Sequence, residues 1–380
     1  MRIAQISPLV ESVPPRLYGG SERVVSFLTE ALVEMGHEVT LFASGDSVTS
    51  AKLVPCVPEA LRLDPSVRDH IPYYMVMLKT VREMGHKFDI LHFHLDNLHF
   101  PVCAGALAAR SVTTLHSRQD QRDLEVLYRG FRDMALVSIS DAQREPVPFA
   151  NFAGTVPHGL PRDLLPMTAQ PSGGYLAFLG RISPEKRLDR AIAIARAAGL
   201  PLKVAAKIDR ADEAYFRSEI APLLTQPGVE FIGEINERQK ARFLGNARGL
   251  LFPIDWPEPF GLVMIEAMAC GTPVLAFNQG SVPEVIDNGI TGFVVKDVAE
   301  AVRCVGPLLA LDRRRVRERF EQRFTADRMA RNYVRIYHQV VGTSARRRLS
   351  VVPQSLTSRQ DGNPSIGQFI EKANQGAERP

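Results

Sequence analysis

The sequence is short of several things, and each shortage narrows the classes of function open to it. Its four cysteines, Cys56, Cys103, Cys270 and Cys304, lie far apart and form no C-x-x-C pair. Neither a zinc site nor a disulfide framework follows from that spacing, and isolated buried thiols are the simpler expectation. No apolar run reaches the roughly 18 residues of a membrane-spanning helix. "MRIAQISPLV" lacks the apolar length and small-residue cleavage site of a signal peptide, so a cytoplasmic chain is expected. Peripheral contact with the inner face of a membrane is compatible with both absences. A charge excess of one sign is missing too, with 46 Lys and Arg against 42 Asp and Glu and a net of +4. That balance does not make a nucleic-acid binder, although a mild basic excess suits anionic ligands. There is no repeat of short period and no G-x-G-x-x-G of a dinucleotide fold.

What is present is a chain of 380 residues, 45% hydrophobic, longer than the roughly 250 to 300 residues at which single cores stop growing. Short apolar runs alternate with helical patterns from end to end, the mark of βαβ units and parallel sheets. "RIAQIS", "HEVTLFAS", "FDILHFH", "SVTTLHS" and "ALVSIS" read as strands of a first α/β domain. Between the first two, "SERVVSFLTEALVEMG" is an amphipathic helix stopped by Gly36. The Pro- and Gly-rich "TVPHGLPRDLLPMTAQPSGG" is the expected linker. It divides residues 1–165 from a second α/β domain over 166–325. In that domain the strands are "YLAFLGR", "LKVAAK", "VEFIGE", "GLLFP" and "PVLAF", with helices at 187–198, 211–223, 236–246 and 261–270. A last helix is expected near 326–342, with Tyr333, Ile336, Tyr337 and Val340 on one face, and residues 343–380 are expected to be a disordered tail.

In open α/β sheets ligands bind beyond the carboxyl ends of strands, so the strand-to-helix loops are where chemistry is sought. Gly19 and Gly20 precede a helix, where the missing Cβ lets backbone N–H groups approach an anion, but a plain turn fits them as well. In "GRISPEKR" Arg181 and Lys186 are spaced to meet a pair of phosphates, Arg as a planar fork and Lys as a point charge. A solvated charge run with Glu185 and Arg187 is the competing reading. In "EPFGLVMIEAMACGTP" Glu258 is fixed in a loop by Pro257 and Pro259, and Glu266 falls inside an apolar helix where an unpaired carboxylate is costly. The N–H groups near Phe260, Gly261 and Leu262 are the free donors of that helix start, suited to a diphosphate. Glu266 would be satisfied by a hydroxyl-rich ligand, or by a buried Arg or Lys.

The stretch "EPFGLVMIEAMACGTPVLAFNQGSVPEVIDNGITGFVV" resembles the nucleotide-sugar signature of the family 4 retaining glycosyltransferases, which have the GT-B fold. "YGGSERVVSFLTEALVEMGHEVTLFASGD", "VSISDAQR", "VPHGLP" and "YLAFLGRISPEKRLDRAI" are similar to that family in the same order, over about residues 1–342. The resemblance implies two Rossmann-like domains facing a central cleft. It implies transfer of a sugar from a nucleoside diphosphate sugar, UDP favoured, with retention at the anomeric carbon and no metal cofactor. By the same resemblance Arg181 and Lys186 neutralise the diphosphate, Glu258 contacts the donor sugar and Glu266 the ribose. Gly20 approaches the reacting region, and His116 in "TTLHSRQD" stands against the donor sugar. His94 and Asp96 are expected on the acceptor side; the acceptor itself has no legible signature. His92, His94 and His99 invite a metal reading, which is rejected because a third ligand at sound spacing is missing and GT-B enzymes generally hold no metal. The alternatives carried forward are a non-hydrolysing sugar-nucleotide epimerase and a non-catalytic nucleotide-sugar-binding protein.

Overall fold

Among the described residues thirteen strands fall into two sheets, parallel throughout. The computed structural model describes residues 1–16, 19–103, 105 and 107–350, and over 344–350 only the course of the backbone. The first sheet holds β1 (Arg2–Ile6), β2 (Glu38–Ser44), β3 (Lys52–Val57), β4 (Ile90–Phe93), β5 (Ser111–Thr114), β6 (Ala135–Ser138) and β7 (Phe152–Thr155) in the order β3-β2-β1-β4-β5-β6-β7. The second holds β8 (Leu176–Arg181), β9 (Leu202–Lys207), β10 (Val229–Gly233), β11 (Gly249–Phe252), β12 (Val274–Phe277) and β13 (Gly292–Val295) in the order β10-β9-β8-β11-β12-β13. Each sheet starts in its middle and winds outward both ways. Its direction therefore switches between β1 and β4, and again between β8 and β11, the places where an α/β sheet opens a crevice.

The central strands are buried on both faces. All four residues of β4, β5, β11 and β12 are buried, as parallel strands require. β3, β7 and the helix Ile71–Met84 were not read from the sequence. β3 and β7 are sheet edges with half-exposed residues, so neither shows the continuous apolar run of a central strand. The single helix expected over 211–223 is instead broken, with a wide π turn at Phe216–Ile220 between shorter helical pieces. Pro222 lacks the N–H that would continue an α-helical ladder through this point.

The chain crosses between the sheets twice, and the two crossings lie together. Leu160 N–H donates to Phe324 O and Ala326 N–H to Leu160 O. A Cβ on Gly159 would stand 2.3 Å from Thr325 O, so only glycine lets the crossings touch. The returning helix, Ala326–Ser350, then packs on the first sheet. Tyr333 and Tyr337 are fully buried there, with Tyr333 Oη 2.8 Å from Thr114 Oγ1 and Tyr337 Oη 2.7 Å from His92 Nδ1. A Cβ on Gly154 would meet Ile336 Cδ1 at 2.7 Å, which shows how closely helix and β7 approach. The helix continues past Gly342 to Ser350, where the sequence pattern was expected to dissolve. Residues 345–349, "ARRRL", are all strong helix formers, so backbone propensity carries the helix on without an apolar stripe. The rest of the expected disordered tail, 351–380, lies outside the described residues.

Candidate active site

Loops from both sheets enclose one cavity of about 430 Å³, lined among others by Gly20, His116, Arg181, Lys186, Glu258 and Glu266. Residues far apart in sequence thus share one wall, because each follows the carboxyl end of a strand.

After β8 the chain makes a single tight turn, Pro184–Lys186, before the helix Leu188–Ala197. Pro184 sets φ at the head of the turn. Arg187 leaves it in the left-handed region at φ 52° and turns outward to Asp189 and Asp255. Lys186 instead forms an ion pair with Glu258. Its ammonium also sits 4.8 Å from the centre of the Trp256 ring, a cation–π contact. Trp256 Nε1 donates to the same Glu258 carboxylate at 3.1 Å. The loop carrying Glu258 is pinned by Ser281 N–H, which donates to Glu258 O at 3.0 Å. Gly280 makes that possible: at φ 51°, a Cβ would lie 2.4 Å from Glu258 O.

The helix Leu262–Ala269 begins from Gly261, left-handed at φ 76°, so Gly261 is its cap and not its first residue. Phe260, Gly261 and Leu262 all line the cavity. Across from them starts the helix Gly20–Glu34, and a Cβ on Gly20 would stand 3.8 Å from Leu262 Cδ1. Two helix N-termini, each a positive dipole end, therefore converge on the same space.

Glu266 has the buried partner that the sequence left as an alternative. Lys240, on the helix Glu237–Asn246, donates to it at 2.6 Å, and both side chains are nearly closed off from solvent. Lys240 also touches Glu237, whose carboxylate meets Arg23 of the helix Gly20–Glu34. Because Lys240 and Glu266 both line the cavity, pairing does not remove the carboxylate from a ligand's reach. Arg181 is held at the rim by Glu185 at 2.5 Å, with Asp212 at 3.5 Å and Asp209 at 3.7 Å.

The first-sheet wall is made of imidazoles. His116 lies on the cavity, and its Nε2 is 2.9 Å from His94 Nδ1. Burial lowers the His116 pKa to about 4, against the opposing pull of Asp96. His94 and His158 are likewise held well below the usual histidine range by burial. Asp96 accepts from His116 N–H at 3.1 Å and from Ser117 Oγ at 2.7 Å, fixing the loop. His94, expected on the acceptor side, is 2% exposed with both ring nitrogens engaged, and stands behind His116. His92 bonds Tyr337 and Thr114, and His99 bonds Thr113, so the three histidines of "LHFHLDNLH" turn to separate partners.

Nothing in the local sequence marks Lys240, Gln5 or Trp256. Lys240 sits in an ordinary polar helix with no local signature. His158, stacked on His116 with ring centres 5.3 Å apart, was within reach, since "VPHGLP" is one of the blocks that carry the resemblance.

Known proteins resemble this chain along most of its length. The family model described as "Glycosyltransferase Family 4" matches residues 18–144, and that of "Glycosyl transferases group 1" matches 169–323. A phosphatidyl-myo-inositol mannosyltransferase of Mycobacterium leprae is 24% identical, over 91% of this chain and 99% of its own. Among solved structures, a sucrose-phosphate synthase from Thermosynechococcus elongatus superposes with a TM-score of 0.72 at 19% identity, covering 90% of this chain and 99% of that one. The HepE protein of Anabaena, in complex with UDP and glucose, superposes at 0.66 and 17% identity, covering 91% and 100%. With both halves matched in order and both sheets built as the fold requires, the chain belongs to the family 4 glycosyltransferases of GT-B fold.

Proposed function

We propose that this glycosyltransferase moves a hexosyl group from a UDP-sugar to an acceptor hydroxyl, with retention at the anomeric carbon and without a metal ion. One observation carries the reading: Arg181, Lys186, Glu258, Glu266 and two helix N-termini line a single cavity. The cations and the N–H groups suit a diphosphate, and their preorganised charge would stabilise it as it leaves. Glu266 takes the ribose hydroxyls, sharing them with Lys240, and Glu258 takes those of the sugar. UDP is favoured over other bases because HepE, of the same fold, was solved with it.

Transfer then runs on one face of the sugar. The bond from the anomeric carbon to the phosphate oxygen breaks, its electron pair leaving with the diphosphate. The acceptor oxygen attacks the resulting oxocarbenium-like centre, and its proton passes to the departing phosphate oxygen. The reading gives no side chain the role of covalent nucleophile, and it gives the cationic residues the charge role that a metal would have. Asp96 stays on the acceptor side, in the loop after β4. The epimerase alternative is not favoured by family models that describe transferases.

The test is release of nucleoside diphosphate from a panel of nucleotide sugars and candidate acceptors, with and without EDTA. A UDP-sugar is expected to turn over equally under both conditions, giving a product with the donor's anomeric configuration. Abolition by EDTA and rescue by Mg²⁺ or Mn²⁺ would contradict the metal-free reading, and an inverted product would contradict retention.

A further inference from the structure

Gln5 lies in the middle of β1, fully buried, with His92 of β4 opposite it in register. A buried amide has no water to turn to, so its groups must find protein partners. Its Nε2 donates to Tyr337 Oη at 3.2 Å, which leaves Oε1 to face His94 Nε2 at 2.8 Å. A carbonyl oxygen only accepts, so His94 carries its proton on Nε2. Being neutral, its Nδ1 is then a bare lone pair. That lone pair lies 2.9 Å from His116 Nε2, which must donate to it. His116 is thus left with an unprotonated Nδ1, and that atom takes no hydrogen bond from a described residue.

We propose that Gln5 is a positioning residue for sugar transfer: anchored on Tyr337, it sets the tautomers of His94 and His116 so that His116 offers the cleft a hydrogen-bond acceptor. The donor sugar must then present a hydroxyl hydrogen at that point. The inference rests on the placement of the donor sugar against His116 made above. A returning C-terminal helix is thereby tied to the reacting region, because Tyr337 belongs to it. The groups facing His116 are His94 and Asp96 from the loop after β4 and His158 after β7, with Lys186 and Glu258 on the same cavity. Asp96 spends its carboxylate on the His116 backbone N–H and on Ser117, so the ring proton is set through His94.

The experiment is histidine-selective ¹⁵N labelling of the full chain, with ring tautomers read from long-range proton–nitrogen correlations. In the wild type, His94 and His116 are both expected as neutral Nε2–H forms across neutral pH. In Gln5→Met both should become tautomeric mixtures, while Gln5→Glu, whose carboxylate still accepts from His94, should restore the single form and shift the His94 titration upward. Melting curves of both variants establish that they are folded. His116 found protonated on Nδ1, or unchanged in Gln5→Met, overturns the proposal. Adding UDP-glucose should move the His116 signals where UDP alone does not. Equal effects of the two ligands, with the tautomers as expected, would overturn the donor-sugar placement while leaving the role of Gln5 in setting the tautomers intact.

Discussion

The two walls of the cavity are built from different materials. The wall from the second sheet is ionic, with Lys186 against Glu258, Lys240 against Glu266, and Arg181 among Glu185, Asp209 and Asp212. The wall from the first sheet is neutral and hydrogen-bonded, running from Gln5 through His94 to His116 and stacking on His158. On the proposed reading, ion pairs suit the end that would receive a charged diphosphate and release it. Neutral imidazoles suit the end that would meet hydroxyls, where a fixed tautomer orients a ring without adding charge. The two glutamates of the ionic wall accordingly have different settings. Glu258 stands in the loop before the helix Leu262–Ala269, ion-paired to Lys186, and Glu266 stands inside that helix beside the buried Lys240.

The largest expected effect that sharpens this contrast is on the ionic wall. Lys186→Ala removes the leaving-group cation and also leaves Glu258 without its counter-ion. Turnover, measured as nucleoside diphosphate release, is expected to fall by roughly 10² to 10³. A loss under tenfold would place Lys186 outside the chemistry. Next comes the pair behind it. Glu266→Gln leaves the buried Lys240 ammonium with only the more distant Glu237 as a charge partner, and for a buried pair removal of one member costs up to about 3 to 5 kcal/mol. Calorimetric melting should show that loss. The double variant Glu266→Leu, Lys240→Met should recover most of the stability and none of the UDP affinity. Recovery of both would make the pair structural only.

The neutral wall is expected to fail with acid, progressively with pH and not through one contact. His92, His94, His99, His116 and His158 all have folded pKa values lowered by burial, His116 to about 4 and His99 to about 3. Above the unfolded value of about 6.5 neither state binds these protons and stability is full. As pH falls below about 6.5 the unfolded chain takes up protons that the folded one refuses, so stability drops progressively toward pH 4. Melting temperature followed from pH 7.5 to 5 should decline most steeply below 6.5. A flat profile would mean that the imidazoles are not held neutral.

The same contrast separates what the sequence could show from what it could not. Five strands of the second sheet and most of its helices were legible to within a few residues, the broken stretch over 211–223 excepted, because central parallel strands are short apolar runs punctuated by Gly and Pro. The residues of that wall were legible as well, since "GRISPEKR" and "EPFGLVMIEAMACG" put the cationic and carboxylate side chains that line the cavity at strand ends. Lys240 escaped because its partner is 26 residues away and nothing local marks a lysine that folds inward. The neutral wall was harder still. Gln5 reads as a strand residue, and its meaning depends on Tyr337, 332 residues along the chain. The edge strands β3 and β7 went unread because half-exposure breaks the apolar pattern.

The central claim, that the ionic wall divides the donor between its two glutamates, is tested most directly by calorimetric titration of UDP and UDP-glucose into the wild type, Glu258→Gln and Glu266→Gln. UDP is expected to bind the wild type without added metal. Glu266→Gln should weaken both ligands alike, by about tenfold for a lost charge-assisted contact. Glu258→Gln should leave UDP unchanged and depress turnover more than UDP-glucose affinity, as befits a contact that strengthens in the transition state. Wild-type affinities in both variants, or no binding of UDP at all, would contradict the account.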